Sequence, residues 1–256
     1  MKFFKNFFKS HYLIGTLYYT FPNLFSIIIS LISIPIFLKF TSQLEYANYL
    51  ISHFVLTISI ITNLNFNKIA TINIAKKNSN QNDIIFTSLI LTGVFSTLIS
   101  LIIFYLLFNI IKYFNLESIQ ELTNIKILIG FFITNFYLTL EGIFKGNLNY
   151  KILSLFNLSF YSISLSSPAI LVFYHNNFNI FTLSILIKLV VVIMMFIIIV
   201  IKIINKKPKI SKPYINSCKN GLKWMTLNSL LNQIYNYFDK YIIKIFLDNS
   251  AFIFYN

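Results

Sequence analysis

Few residues in this chain could do chemistry, and most of them lie where charge is expensive. Lys188 falls near the middle of an apolar run spanning 178–201. An ionised side chain at the centre of a bilayer costs about 2.5–3.5 kcal/mol, so such a residue is a functional candidate by default. Lys188 could meet an anionic ligand in a water-filled cavity; alternatively it pairs with Asp239 or Glu141, or snorkels to an interface. A second group is Asn228, Asn232, Asn236 and Asp239. Their spacing puts them on one helical face over about 16 Å of rise. That face should point into a bundle or cavity, either to line a ligand path or to bond neighbouring helices. Lys240 lies beside Asp239 and could pair with other helices or reach the outer interface, where Lys244 is also placed. Glu141 sits near the end of its run, where interfacial solvation explains it, and it completes the set of pathway candidates. His53 reads as a hydrogen-bonded histidine inside the bundle rather than a proton relay.

No catalytic constellation accompanies these residues. The histidines His11, His53 and His175 fall on different segments, the acids are scattered, and no metal-ligand spacing occurs. The single cysteine, Cys218, excludes a disulfide framework and a cysteine metal site. With six glycines there is no phosphate-cradling loop. The expectation is therefore a protein without cofactor or metal, and not an enzyme. A net charge of +14 would suggest nucleic acid in a soluble protein. Here every basic residue is lysine, and the arginine that bidentate phosphate and base contacts favour is missing, so no nucleic-acid partner is expected.

The elements that must position these residues are membrane helices. The chain is 57% hydrophobic and 11% charged, whereas a soluble domain carries about 25% charge. About 20 apolar residues span a bilayer. Uncharged stretches of that length recur at Leu13–Leu38, Ala47–Phe66, Ile84–Ile111 and Ile152–Tyr174. Lipid tolerates only helices or closed barrels, and long unbroken apolar runs exclude barrel strands. The expected fold is an all-α integral membrane protein, a polytopic helix bundle. Its spans are 13–38, 47–66, 84–111, 127–144, 152–174, 178–201 and 222–247, with an eighth beginning near Ala251. With the N-terminus inside, most lysines fall on the cytoplasmic side. Only Lys39, Lys112, Lys126 and Lys244 fall opposite, which sets the orientation. Pro22, Pro35 and Pro168 read as tolerated kinks. Gly142 and Gly146 have the spacing of a helix-packing motif, but Lys145 between them favours a turn. The Lys202–Lys223 cluster fits either anionic lipid or ordinary positive-inside topology. A shift of 206 residues places Phe40 on Phe246, Tyr46 on Phe252 and Tyr49 on Tyr255, so that span 7 restarts the pattern of span 1. The resulting division is a six-helix lobe at 1–204, a basic cytoplasmic linker at 205–221, and the start of a second lobe at 222–256.

Three stretches carry a family resemblance. Asn23–Tyr49 ends an apolar span in an Ile-Pro step and follows it with a short loop and an aromatic pair. Asn67–Lys77 (NKIATINIAKK) closes span 2, and Gly221–Tyr255 holds an Asp-Lys pair before an apolar stretch. Together they resemble the polysaccharide-repeat (O-antigen type) flippases of the multidrug/oligosaccharidyl-lipid/polysaccharide exporter superfamily. The resemblance implies two lobes of helices around a central cavity, of which this chain would be an N-terminal fragment. It also implies an activity: moving an undecaprenyl-pyrophosphate-linked oligosaccharide across the bacterial inner membrane. The implied partners are the lipid-linked oligosaccharide, membrane lipid and other polysaccharide-assembly proteins. In that setting Lys188 would meet the pyrophosphate or acidic sugars, and Asp239 would balance its charge or serve a coupling cation. A cation-coupled small-molecule exporter of the same superfamily is the alternative. So is a membrane oligosaccharide polymerase or ligase, against which the short outer loops and missing arginine argue.

Overall fold

The computed structural model describes residues 11–57, 59–76, 80–113, 125–174, 180–204 and 206–246. Among them every regular element is helical and there is no strand. In hydrocarbon only intrahelical bonding satisfies each peptide group within one segment. Span 1 is α1 (His11–Phe40), and span 2 comprises α2 (Gln43–Thr57) and α3 (Ser59–Thr62), continued after a break by α4 (Phe66–Ala75). Span 3 runs through α5 (Gln81–Leu91), a π-turn at Thr92–Ser96 and α6 (Thr97–Tyr113). Span 4 is α7 (Ile125–Gly146). Span 5 is α8 (Tyr150–Asn157), a π-turn at Leu158–Ile163 and α9 (Ser164–Tyr174). Span 6 is α10 (Ile180–Ile204) and span 7 is α11 (Lys212–Phe246). Five of these stretches are long and apolar enough to cross a membrane: Gly15–Phe40, Gln81–Asn109, Ile125–Gly146, Tyr150–Tyr174 and Ile180–Ile204. The protein is thus an all-helical, multi-pass membrane protein. The expected eighth span, and the repeat positions Phe252 and Tyr255, lie outside the described residues.

Local chemistry explains the boundaries. Between α1 and α2 the chain turns in two residues: the Thr41 hydroxyl donates to the Phe37 carbonyl (2.7 Å) and the Glu45 amide donates to the Ser42 hydroxyl (3.2 Å). Ser42 therefore caps α2. After α7, Leu148 takes a left-handed φ of 58° and the Asn149 amide donates to the Phe144 carbonyl (3.1 Å), a Schellman-type stop. In span 5, Pro168 lies inside α9, four residues after Ser164, just past the π-turn. A proline ring clashes with the carbonyl four residues back. The Ser164 hydroxyl turns to the Phe160 carbonyl at 2.5 Å.

Span 7 begins as a helix at Lys212, ten residues before the apolar stretch expected at 222, so only 205–211 is left to connect spans 6 and 7. That connection is pinned. The Lys209 amide donates to Asp83 Oδ1 and the Ser211 amide to Thr87 Oγ1, each at 2.8 Å.

α7 is the hub. Ile127, Phe131, Ile133, Tyr137, Leu140 and Ile143 are all buried along it. Its glycines admit neighbouring chain. A Cβ on Gly142 would stand 2.3 Å from the Asn67 carbonyl oxygen, and one on Gly146 would stand 2.8 Å from Ile74 Cβ. The Gly142–Gly146 pair is therefore a close helix-packing seam between α7 and α4. The turn expected from Lys145 begins only after Gly146. Lys145 bonds Glu141 on its own helix, so a charged residue within the motif does not block the approach.

Candidate functional site

The interior of the bundle holds two polar environments on either side of α7. The first surrounds a break in span 2. Leu64 and Asn65 take left-handed φ values of 53° and 54°, a conformation costing about 1–2 kcal/mol for most residues but tolerated by asparagine. Hydrogen bonds hold it there. Asn63 Nδ2 donates to the Asn135 carbonyl (3.0 Å) and to Thr139 Oγ1 (2.9 Å), and Asn63 Oδ1 accepts the Asn67 amide (3.2 Å). Thr62 Oγ1 donates to Asn135 Oδ1 (2.9 Å), and Asn135 Nδ2 passes the chain to Ser100 (3.0 Å). Thr92, in the span 3 π-turn, shares a 2.7 Å bond with Thr139. From span 7, Ser229 donates to Asn65 Oδ1 (3.1 Å) and the Tyr214 hydroxyl to the Phe66 carbonyl (3.3 Å).

The second environment contains Lys188. The residue is 7% exposed, and its Nζ lies 5.3 Å from the centroid of Phe160 in the span 5 π-turn. Phe160 is backed by Tyr137, stacked at 3.6 Å with 9° between the planes. The Tyr137 hydroxyl donates to Asn157 Oδ1 at 2.5 Å. An ammonium over an aromatic face gains about 2 kcal/mol when desolvated, against about 2.5–3.5 kcal/mol for charge at the bilayer centre. The ring offsets part of the cost and leaves room for a further stabilising group. Among the described residues Lys188 has no ion pair. Glu141, offered as one possible partner, is buried and bonded to Lys145 Nζ at 2.9 Å.

On span 2, His53 lies within electrostatic reach of Lys188. Its ring centroid stands 6.3 Å from that of Tyr49. Tyr49 is buried among Phe37, Tyr46 and Ile180. His53 makes no hydrogen bond within the described residues. Its side chain is exposed.

The structure brings Lys188 together with spans 2, 4 and 5. Asn228 and Asn232 of α11 are exposed, while Ser229 beside them is buried. Asn236, Asp239 and Lys240 belong to the same helix, but their side chains lie outside the described residues. Sequence reasoning passed over Asn63, Asn65, Asn135, Tyr137 and Phe160. The alternate asparagines at 63, 65 and 67 were a usable signal, because asparagine enters left-handed backbone and competes for helix bonds. Nothing in the sequence marks Phe160 apart from the other phenylalanines.

The fold is a multi-pass helical bundle whose interior holds hydrogen-bonded polar groups and, at Lys188, a buried cation without an ion pair among the described residues. The chain belongs to the family described as polysaccharide biosynthesis protein, which it matches over residues 12–256. No curated protein and no solved structure gives a significant match.

Proposed function

We propose that this protein moves a lipid-linked oligosaccharide across the bacterial cytoplasmic membrane, with its N-terminus on the cytoplasmic side. Family membership supports a place in polysaccharide biosynthesis. The observation that carries the rest is Lys188, a buried cation on an aromatic face with no carboxylate bound to it among the described residues. The diphosphate that joins lipid to sugar is the anion such a site would stabilise, because low dielectric magnifies charge interactions. The exposed Asn228 and Asn232 supply neutral donors and acceptors suited to sugar hydroxyls. Asp239 is assigned the counter-charge when the path is empty, or the site of a coupling cation.

Translocation is the reading in which these residues bind and release without covalent change. In cells whose surface polysaccharide depends on this protein, Lys188→Ala and Asp239→Asn should each reduce the polysaccharide reaching the surface while leaving protein abundance in the membrane unchanged. Wild-type polysaccharide from both variants would reduce these residues to structural polar groups and overturn the assignment.

A further inference from the structure

The end of the bundle at which spans 6 and 7 join is stitched into a ring of contacts. Gln81 Nε2 at the start of α5 donates to the Ile74 carbonyl of α4 (3.2 Å). The Lys209 and Ser211 amides of the 205–211 connection donate to Asp83 and Thr87 of α5 (2.8 Å each). Lys202 Nζ at the end of α10 donates to Asn147 Oδ1 in the α7–α8 turn (3.2 Å). The ring closes where Gly146 of α7 lies against Ile74 of α4. Lys76, Lys151, Lys202, Lys206, Lys207 and Lys209 stand exposed on these segments. Their charge is not cancelled nearby. Asp83 accepts a backbone amide rather than an ammonium, and Glu141 is bonded to Lys145 in the one ion pair among the described residues.

The rule that favours positive charge on one side of a membrane asks only that lysines be there. It does not ask that they be held in place, and here they are. The connection is short and pinned to α5, so its lysines are presented at set positions. Lys207 takes a left-handed φ of 43°, which glycine or asparagine adopts with less strain. Ile204 and Ile210 flank these lysines and are exposed beside them. Cationic heads bracketed by bare aliphatic side chains fit a molecule that carries an anionic head next to hydrocarbon. We propose that Lys202, Lys206, Lys207 and Lys209 form a docking site for the phosphoryl headgroup of an anionic phospholipid, with Ile204 and Ile210 against its acyl chains. Lysine clusters just beyond a membrane helix attract such headgroups at short range. The site is remote from Lys188 in the chain's architecture and stands whether or not Lys188 meets a substrate.

The test titrates the full chain, purified in detergent, with dioctanoyl phosphatidylglycerol and reads bound lipid by native mass spectrometry. The wild type should retain phosphatidylglycerol well above dioctanoyl phosphatidylcholine. Replacing both Lys206→Gln and Lys207→Gln should weaken retention by about thirtyfold, at about fivefold for each lysine near an anionic headgroup. The pair Lys206→Arg and Lys207→Arg keeps the charge and should bind as the wild type does. The pair Lys39→Gln and Lys112→Gln removes the same charge at the opposite end and should leave retention unchanged. Glycerol 1-phosphate, the headgroup without chains, should not compete. Equal losses from the two glutamine pairs would reduce the effect to net charge and overturn the site. So would equal retention of the two lipids by the wild type. Full competition by glycerol phosphate would show a site for free phosphate and overturn the lipid assignment.

Discussion

Tyr137 and Asn135 sit two positions apart on α7 and face different polar worlds, and the energetics of each follow from that separation. Asn135 is 1% exposed and uses its amide and its backbone carbonyl to tie spans 2 and 3 to span 4. Tyr137 supports the ring that carries Lys188 and finds its own partner in Asn157. Buried polar groups of this kind are costly only when unpaired, about 1–3 kcal/mol each, and these are paired. Cys218, near the start of α11, shows the opposite use of burial. It is 3% exposed beside Tyr214, and burial pushes its thiol up to about 11. Reaction with maleimides requires the thiolate, which stays scarce until the pH approaches that value. Native membranes treated with a hydrophilic maleimide at pH 7 should leave Cys218 unmodified, with little increase at pH 9, and denaturation should expose it fully. Mass spectrometry of the labelled chain decides the matter, and quantitative native labelling at pH 7 would show the thiol to be accessible. At this scale the sequence revealed Lys188 because a lone charge in an apolar run is conspicuous. It concealed Phe160, whose place under Lys188 depends on which helix stands beside it.

Helices were legible wherever apolar length alone dictated them, and spans 3 to 6 fall within a few residues of their expected limits. Span 2 was harder. Its apolar length alone does not show that Leu64 and Asn65 leave helical geometry or that a further helix, α4, resumes at Phe66, and only the asparagines at 63, 65 and 67 mark the place. The break depends on partners from spans 3, 4 and 7, which are remote in sequence. The α4–α7 seam offers a direct test of how tightly these elements are fitted. Gly142 faces backbone at 2.3 Å, which cannot yield as a side chain can. Gly142→Ala should therefore lower the melting temperature in detergent and the amount of protein in the membrane, since overpacking typically costs about 1–3 kcal/mol. Gly93 is the control: its added Cβ would meet only Phe136 Cζ at 3.6 Å, an ordinary contact. Gly93→Ala should leave both measurements near wild type. Equal behaviour of the two variants would mean that the seam is looser than its geometry indicates.

At the scale of the molecule, the basic segments collect at one end. The Asn147 side chain of the α7–α8 turn accepts from Lys202 at the end of α10 (3.2 Å), and Asp83 at the start of α5 holds the 205–211 connection. Lys76, Lys151, Lys206, Lys207, Lys209 and Lys212 are exposed in the segments gathered there. Positive charge favours the cytoplasmic face, so reporter fusions after Lys77 and Pro208 should read cytoplasmic and one after Glu117 should read periplasmic. The inverse pattern would reverse the orientation proposed.

The packing of α1 sets a schedule for synthesis. α1 rests chiefly on the helices of span 5 and its π-turn, with a lesser contact to α2. Gly15 lies against Tyr150, and Phe37 joins Ala169 and Val172 in a buried cluster. Its remaining faces, including Leu24, Leu31 and Ile32, are exposed. The first helix to be made must therefore wait for the fifth, on the order of ten seconds at about 5–20 residues per second. Until then only the end of α1, where Phe37 meets Tyr46 and Tyr49 of α2, has a partner within the chain. Nascent chains arrested before residue 150 should leave α1 open to crosslinking by insertion factors, whereas chains arrested well beyond residue 174 should protect it. Loss of the crosslink already at residue 113 would mean that an earlier helix shelters α1 first.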